Sequence, residues 1–206
     1  MVFPLYFEVI NQIGTAAFAV AGYLVGARKR LDLLGVVIVA LLTGIGGGIM
    51  RDVLVNRTPR VFVDALPLYT IFVTLGVSWL IKLHQRHTGM LRKLFIVADS
   101  IGLVAFSLAG AHVGMDSGLN LFGVCFLGFV TAVGGGLVRD VMVNDVPFIL
   151  REDFYGTVAI LLSVALYVCR QYGMEGPAAE WSLFGLGLAL RLVAHKRDFK
   201  LPKVEG

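Results

Sequence analysis

The sequence predicts an all-α membrane protein of seven transmembrane helices, arranged as an inverted 3+3 repeat plus a seventh helix. Three observations predict it. Apolar residues make up 57% of the 206 residues and charged residues 16%, with a mean hydropathy of +0.82, whereas an average soluble domain is roughly 25% charged. The apolar residues gather into seven segments, each close to the ~20 residues that a helix needs to cross a bilayer. Finally, GIGGGIMRDVLVNRTP at 44–59 recurs as AVGGGLVRDVMVNDVP at 132–147.

That recurrence extends well beyond the motif. Residues 7–59 align without a gap onto 95–147, 88 positions on, with 24 identities in 53 positions. The identities include Gly14/Gly102, Phe18/Phe106, Gly22/Gly110, Gly35/Gly123 and Thr43/Thr131. Each copy spans three helices. An odd number reverses the direction in which the second copy enters the membrane, so a pseudo-twofold axis lies in the membrane plane.

In chain order the segments are about 5–26, 32–55, 66–85, 93–114, 118–143, 154–172 and 178–195. The first repeat is therefore about 5–86, the second about 93–173, and the seventh helix about 178–195, all within one membrane domain, 1–206. The opening MVFPLYFEVI carries Glu8 and no basic cluster, so the first segment reads as a retained helix and not a cleaved signal. The third members of the two repeats have diverged, although Lys82 and Arg170 keep equivalent end positions. Asn56 with Pro59, and Asn144 with Pro147, read as helix stops.

Charge sets the orientation. With seven spans, Arg51, Arg57, Arg60 and Arg170 fall on one side, and the other fourteen Lys and Arg residues, Lys200 and Lys203 among them, fall on the opposite side. The positive-inside rule puts the fourteen in the cytoplasm, the N-terminus outside and the C-terminus inside. The net charge of +4 thus orients the chain among membrane lipids and does not indicate nucleic acid. Cys125 and Cys169 sit in different apolar segments without metal-ligand spacing, and His84, His87, His112 and His195 form no metal pattern. No nucleophile–base pair or phosphate loop is legible, so the sequence does not predict an enzyme.

The repeated element carries the chemistry. Gly46, Gly47 and Gly48 lie just past the middle of the second segment, and Gly134, Gly135 and Gly136 just past the middle of the fifth. Each glycine lowers helix propensity by roughly 1 kcal/mol relative to alanine. Two readings fit. The glycines allow close helix packing, or they kink the helix and expose carbonyls to a watery path. Three in succession favour the kink, since one helix face alone can pack. Arg51 and Arg139 follow one turn later, and a charge inside a span faces water or a partner. Asp52 and Asp140 point about 100° away from them, which directs each to a different helix. Depth pairs Asp99 with Arg139 near the inner face, and Asn11 or Glu8 with Arg51 near the outer face.

The doubled GGGxxRD, the 3+3+1 layout and the size resemble the trimeric intracellular cation (TRIC) channel family, in its short prokaryotic branch, over roughly residues 5–195. The resemblance implies a homotrimer in which each protomer encloses an hourglass-shaped, water-filled path between its repeats. It implies second and fifth helices bent at 46–48 and 134–136, and conduction of monovalent cations, chiefly potassium or else sodium, with no cofactor. The tail HKRDFKLPKVEG is short, which fits a prokaryotic inner membrane. No soluble protein partner is expected. Asp52, Asp99 and Asp140 favour cations whereas Arg51 and Arg139 oppose them, so modest selectivity is expected. The alternative is an alternating-access carrier for a small amino acid such as glycine, whose zwitterion suits a site with both charges.

Overall fold

The computed structural model describes residues 4–152, 154–197 and 199. It is helical throughout these residues, in the order α1 (Leu5–Arg28), α2 (Leu33–Leu54), α3 (Leu66–Leu80), α4 (Thr88–Asp116), α5 (Leu121–Met142), α6 (Phe148–Arg151), α7 (Tyr155–Gln171) and α8 (Pro177–Lys196). The sixth and seventh segments of the sequence are therefore α7 and α8, and α6 is a single turn. Lys200 and Lys203, part of the charge asymmetry, lie outside the described residues.

The helix ends follow from local chemistry. Asp32 caps α2 by accepting from the Gly35 N–H at 2.7 Å, and its equivalent Asn120 caps α5 through the Gly123 N–H at 2.9 Å. Asn56 and Asn144 both adopt φ 54° just past α2 and α5, the left-handed stop that asparagine tolerates. Pro59 and Pro147 then start a 3-10 turn, Arg60–Phe62, and α6 respectively.

By length and hydropathy α1, α2, α4 and α5 can each cross a membrane, whereas α3 and α7 are shorter apolar helices. The third segment ends at Leu80, earlier than the expected 85, because Lys82 turns left-handed at φ 50°. Its 15 residues rise about 22 Å, less than the ~30 Å hydrocarbon thickness. α8 is the most polar of the long helices, with Glu180 and Arg191 buried inside it.

The two repeats meet face to face, and their contacts are reciprocal. Phe106 of α4 packs over Gly14 of α1, its ring 2.9 Å from where a Cβ would stand, and Phe18 of α1 packs over Gly102 of α4. The two rings meet edge to face at 5.2 Å. Beneath them α2 crosses α5. A Cβ on Gly47 would overlap the Thr131 carbonyl oxygen, and one on Gly135 would overlap that of Thr43. The Cα–H bonds of the two glycines thus point at carbonyls of the opposite helix, a contact that recurs where helices approach closely. Thr43 and Thr131 fold their hydroxyls back onto Val39 and Leu127, beneath Gly22 and Gly110.

At this crossing the glycine triplets serve close helix packing. Both α2 and α5 run as uninterrupted helix through them, so the triplets do not break the backbone. Gly46, Gly47, Gly134 and Gly135 face the partner helix. Gly48 and Gly136 face elsewhere, with their nearest neighbours the guanidinium nitrogens of Arg51 at 4.0 Å and Arg139 at 3.5 Å. Two faces of each triplet are thus in use, one for the crossing and one towards the arginine.

A polar latch joins the repeats where α8 ends. Asp145, just beyond α5, pairs with Lys29 at 2.6 Å and Arg28 at 3.1 Å, both at the end of α1. The Lys29 hydrogen bond holds the Asp145 carboxyl below its ordinary range against partial burial, with Arg28 and Arg151 adding to it.

Gly135→Ala must push α2 and α5 apart and should lower the unfolding temperature in detergent, at a cost of about 1–3 kcal/mol; Gly48→Ala should be neutral or stabilising. Equal effects of the two would contradict the crossing. Because the folded-state pKa of Asp145 is depressed, its contribution is present above the unfolded carboxylate value, about pH 4, and is lost as pH falls through the lower folded one. Thermal unfolding from pH 7 to 3 should show a steeper acid loss in the parent than in Lys29→Met, and the difference should shrink at high salt.

Candidate functional site: a charged recess between the repeats

Each arginine of the repeated motif is buried and held first by its own neighbour. Arg51 Nε donates to Asp52 Oδ1 at 2.8 Å, and Arg139 Nε to Asp140 Oδ1 at 2.8 Å. The second carboxylate oxygens accept backbone N–H groups of the returning loops, Arg60 on Asp52 at 2.8 Å and Phe148 on Asp140 at 2.7 Å. This corrects the expectation that Asp52 and Asp140 turn to other helices. Adjacent Cα–Cβ bonds do diverge by about 100°, but the arginine stem curls back so that its Nε edge meets the carboxylate. The aspartates thereby fasten the proline-started loops to the ends of α2 and α5.

Beyond Nε the two arginines differ. Arg139 Nη1 donates to Asp99 Oδ1 of α4 at 2.7 Å, and both side chains are shut off from solvent. That contact is the one depth predicts. The Arg139 guanidinium also lies 4.9 Å from the Phe95 ring, leaving Arg139 Nη2 and Asp99 Oδ2 without a hydrogen-bond partner among the described residues. The expected partner of Arg51 does not appear. Glu8 instead pairs with Arg60 at 2.6 Å, and Arg60 with Asp64 at 2.6 Å. The 3-10 turn after Pro59 carries Arg60 over the start of α1, where it takes the carboxylate first. Asn11, the repeat counterpart of Asp99, is neutral and buried. It makes no side-chain hydrogen bond to Arg51 among the described residues.

Asn11 and Arg51 instead share a recess. Thr15, Gly44, Ile45, Gly48, Ile49, Asp52, Pro67 and Phe106 complete most of its lining, with about 350 Å³ of empty space including its mouth. It opens at the end of the bundle where α1 begins and stops at Phe106, above the α2–α5 crossing.

The equivalent space in the second repeat is filled, and pairwise differences explain it. Thr15 is matched by Leu103, Gly44 by Ala132, Arg60 by Phe148 and Pro67 by Tyr155. Tyr155 and Leu103 are buried there, and Tyr155 packs edge to face on Phe148 at 5.4 Å. Tyr155 also interacts electrostatically with Asp99, Arg139 and Arg191. Among the described residues, the first-repeat site is thus a recess and its second-repeat equivalent is filled.

Several participants are not evident from the repeats. Arg191 of α8 is fully buried against Tyr155, its guanidinium 5.0 Å from the ring. Glu152 lies 3.5 Å from Arg191 and 2.9 Å from His195. Charge counting treats Arg191 as a loop cation, although an arginine within GLGLALRLV already signals a buried charge. At the opposite end, where α1 begins, His112 meets Glu180 at 3.0 Å and Arg170 meets Asp116 at 2.7 Å. These groups are far apart in the chain, and sequence spacing gives no hint of them.

Comparison with known proteins places this geometry. A family model described as glycine transporter matches residues 8–85 and again 96–171, two matches starting as far apart as the repeats. The chain is 33% identical over 94% of its length to the inner membrane protein YadS, of UPF0126, from Escherichia coli (strain K12), covering 93% of that protein. It is 31% identical to a solved TRIC cation channel, with a TM-score of 0.82 and 97% of both chains covered. A crystal structure of a prokaryotic TRIC channel gives a TM-score of 0.85 at 29% identity, covering 95% of this chain and 98% of the other. The chain belongs to the prokaryotic TRIC channel family. It is accordingly a bacterial membrane protein, and the repeat carrying the glycine triplet, Arg and Asp is the family's building unit in it.

Asp99→Asn removes one of the two carboxylates held by the buried Arg139 and leaves the other, Asp140, in place. The lost charge-assisted hydrogen bond should cost about 1–3 kcal/mol, read as a lowered unfolding temperature in detergent. Arg139→Gln, which strips both carboxylates of their cation, should cost more. An unchanged melting curve for Asp99→Asn would contradict the pairing.

Proposed function

We propose that the chain is a channel for monovalent cations, potassium above sodium, and acts without enzymatic chemistry. The path runs through each protomer between the two repeats, hourglass-shaped, with its waist at the α2–α5 crossing. The observation that carries this reading is the charged recess, which reaches from one end of the bundle to Phe106 at that crossing, in a chain that resembles solved TRIC cation channels along nearly its whole length. On this reading the structure is the non-conducting form. Opening requires Phe148 and Tyr155 to leave the second-repeat site and α2 and α5 to separate or bend at their glycine triplets. The pore and gate residues are then Asn11, Gly46, Gly47, Gly48, Arg51, Asp52, Asp99, Gly134, Gly135, Gly136, Arg139 and Asp140.

A solved orthologue from Rhodobacter sphaeroides is described as a trimeric intracellular cation channel, and we assign this chain a homotrimer on that likeness. The charge asymmetry supports an inner-membrane orientation with the N-terminus outside and the C-terminus in the cytoplasm. The recess then faces outwards. The permeant ion is the only small ligand this reading requires.

One observation favours a second reading. A recess open at one end, with its symmetry mate filled at the other, is also what an alternating-access carrier presents, and the matching family model is described as glycine transporter. Purified protein in planar bilayers should give ohmic potassium current, with sodium less permeant in bi-ionic gradients, and Asp99→Asn should reduce it. Absence of current together with saturable counterflow of labelled glycine in liposomes would replace the channel by the carrier.

A further inference from the structure

The repeats offer an internal comparison at their arginines. In the second repeat one guanidinium serves two carboxylates, Asp140 at Nε and Asp99 at Nη1, at 2.8 and 2.7 Å. In the first repeat the Nε edge is used identically, by Asp52 at 2.8 Å. The Nη edge of Arg51 has no hydrogen-bond partner among the described residues, and the side chain is 6% exposed. Arg51 and Asn11, the counterpart of Asp99, line the same recess, along with Thr15, Gly48 and Phe106. The Nη2 atom stands 4.0 Å from where a Gly48 Cβ would be, an ordinary contact distance.

We infer that the recess is a binding site for a small free anion, best a planar carboxylate such as formate or acetate. The anion sits on the Nη edge of Arg51, the edge at which Asp99 meets Arg139 through a single Nη1–Oδ1 bond. A guanidinium offers two parallel N–H donors to a planar carboxylate, a geometry that a spherical halide cannot match. The neighbouring Asp52 is no obstacle, because Arg139 carries two carboxylates in the same arrangement. The site suits a simple carboxylate better than an amino acid. An ammonium group would need a free carboxylate, and both oxygens of Asp52 are already engaged by Arg51 Nε and the Arg60 N–H. Bound anion would give Arg51 the second carboxylate that Arg139 already has in Asp99. The inference concerns binding alone and is independent of what permeates.

The test uses the full chain in detergent, with sodium formate replacing sodium chloride at constant ionic strength. Isothermal titration calorimetry should show saturable formate binding, and the unfolding temperature should rise along the same curve. Asn11→Asp supplies the carboxylate from within. It should start at the raised unfolding temperature and bind formate about tenfold more weakly or not at all, the loss expected when the charge-assisted contact at Arg51 is already made from within. Thr15→Leu, which copies Leu103 and fills the recess while leaving Arg51 intact, should also abolish the response. Absence of saturable binding in the parent protein would overturn the site, as would formate binding of parental affinity in either variant.

Discussion

The close crossing of α2 and α5 is the constraint on which the rest of the protein depends. Two helices can bring a Cα against the partner's carbonyl only where side chains are absent, and Gly47 against Thr131 and Gly135 against Thr43 do this reciprocally. Without a hydrophobic drive between helices in lipid, such packing and interhelical contacts hold a bundle together. Once the crossing is set, the third glycine of each triplet, Gly48 or Gly136, faces the side where the arginine one turn on must lie. The buried charges are therefore placed on either side of the crossing by the packing itself. The Phe18–Phe106 pair, each ring on the other repeat's glycine, extends the same two-fold relation to α1 and α4.

Within that symmetric frame, a few substitutions between the copies give the two ends different properties. Pro67 against Tyr155 and Thr15 against Leu103 decide whether space is left beside the arginine. Asn11 against Asp99 decides whether the arginine, held in both repeats by its neighbouring aspartate, meets a second carboxylate. The buried Arg191 of α8, which has no counterpart in the repeats, further braces the filled end through Tyr155 and Glu152. A bundle built on identical copies would present equal faces to both sides of a membrane. This one holds an accessible charged recess at one end and a sealed charge cluster at the other.

Much of this was legible in the residues. The duplication, the order of the helices, the left-handed stops at Asn56 and Asn144 and the Asp99–Arg139 contact all follow from spacing and depth. What was not legible depends on side-chain reach and loop path. Glu8 takes Arg60 instead of Arg51 because the turn after Pro59 brings a second arginine closer, and no periodicity encodes that turn. Asp52 and Asp140 bind their own neighbours because an arginine stem is flexible enough to override the helical angle between adjacent positions. The triplets suggested a broken helix, since propensity counts each glycine as a weakness. It does not register that a partner backbone occupies the space. Arg191, Glu152 and Tyr155 belong to three elements and meet only through packing, which a linear pattern cannot reveal.

Equivalent positions in the two repeats differ in access to water, and cysteine accessibility at the last glycine of each triplet measures that difference. In a background lacking Cys125 and Cys169, Gly48→Cys and Gly136→Cys can be exposed in membranes to a small charged thiol reagent that reaches both faces. Modification should be rapid at position 48, beside the recess, and position 136, beneath Tyr155, should be protected. Equal modification at both positions, or the reverse order, would contradict that difference in access.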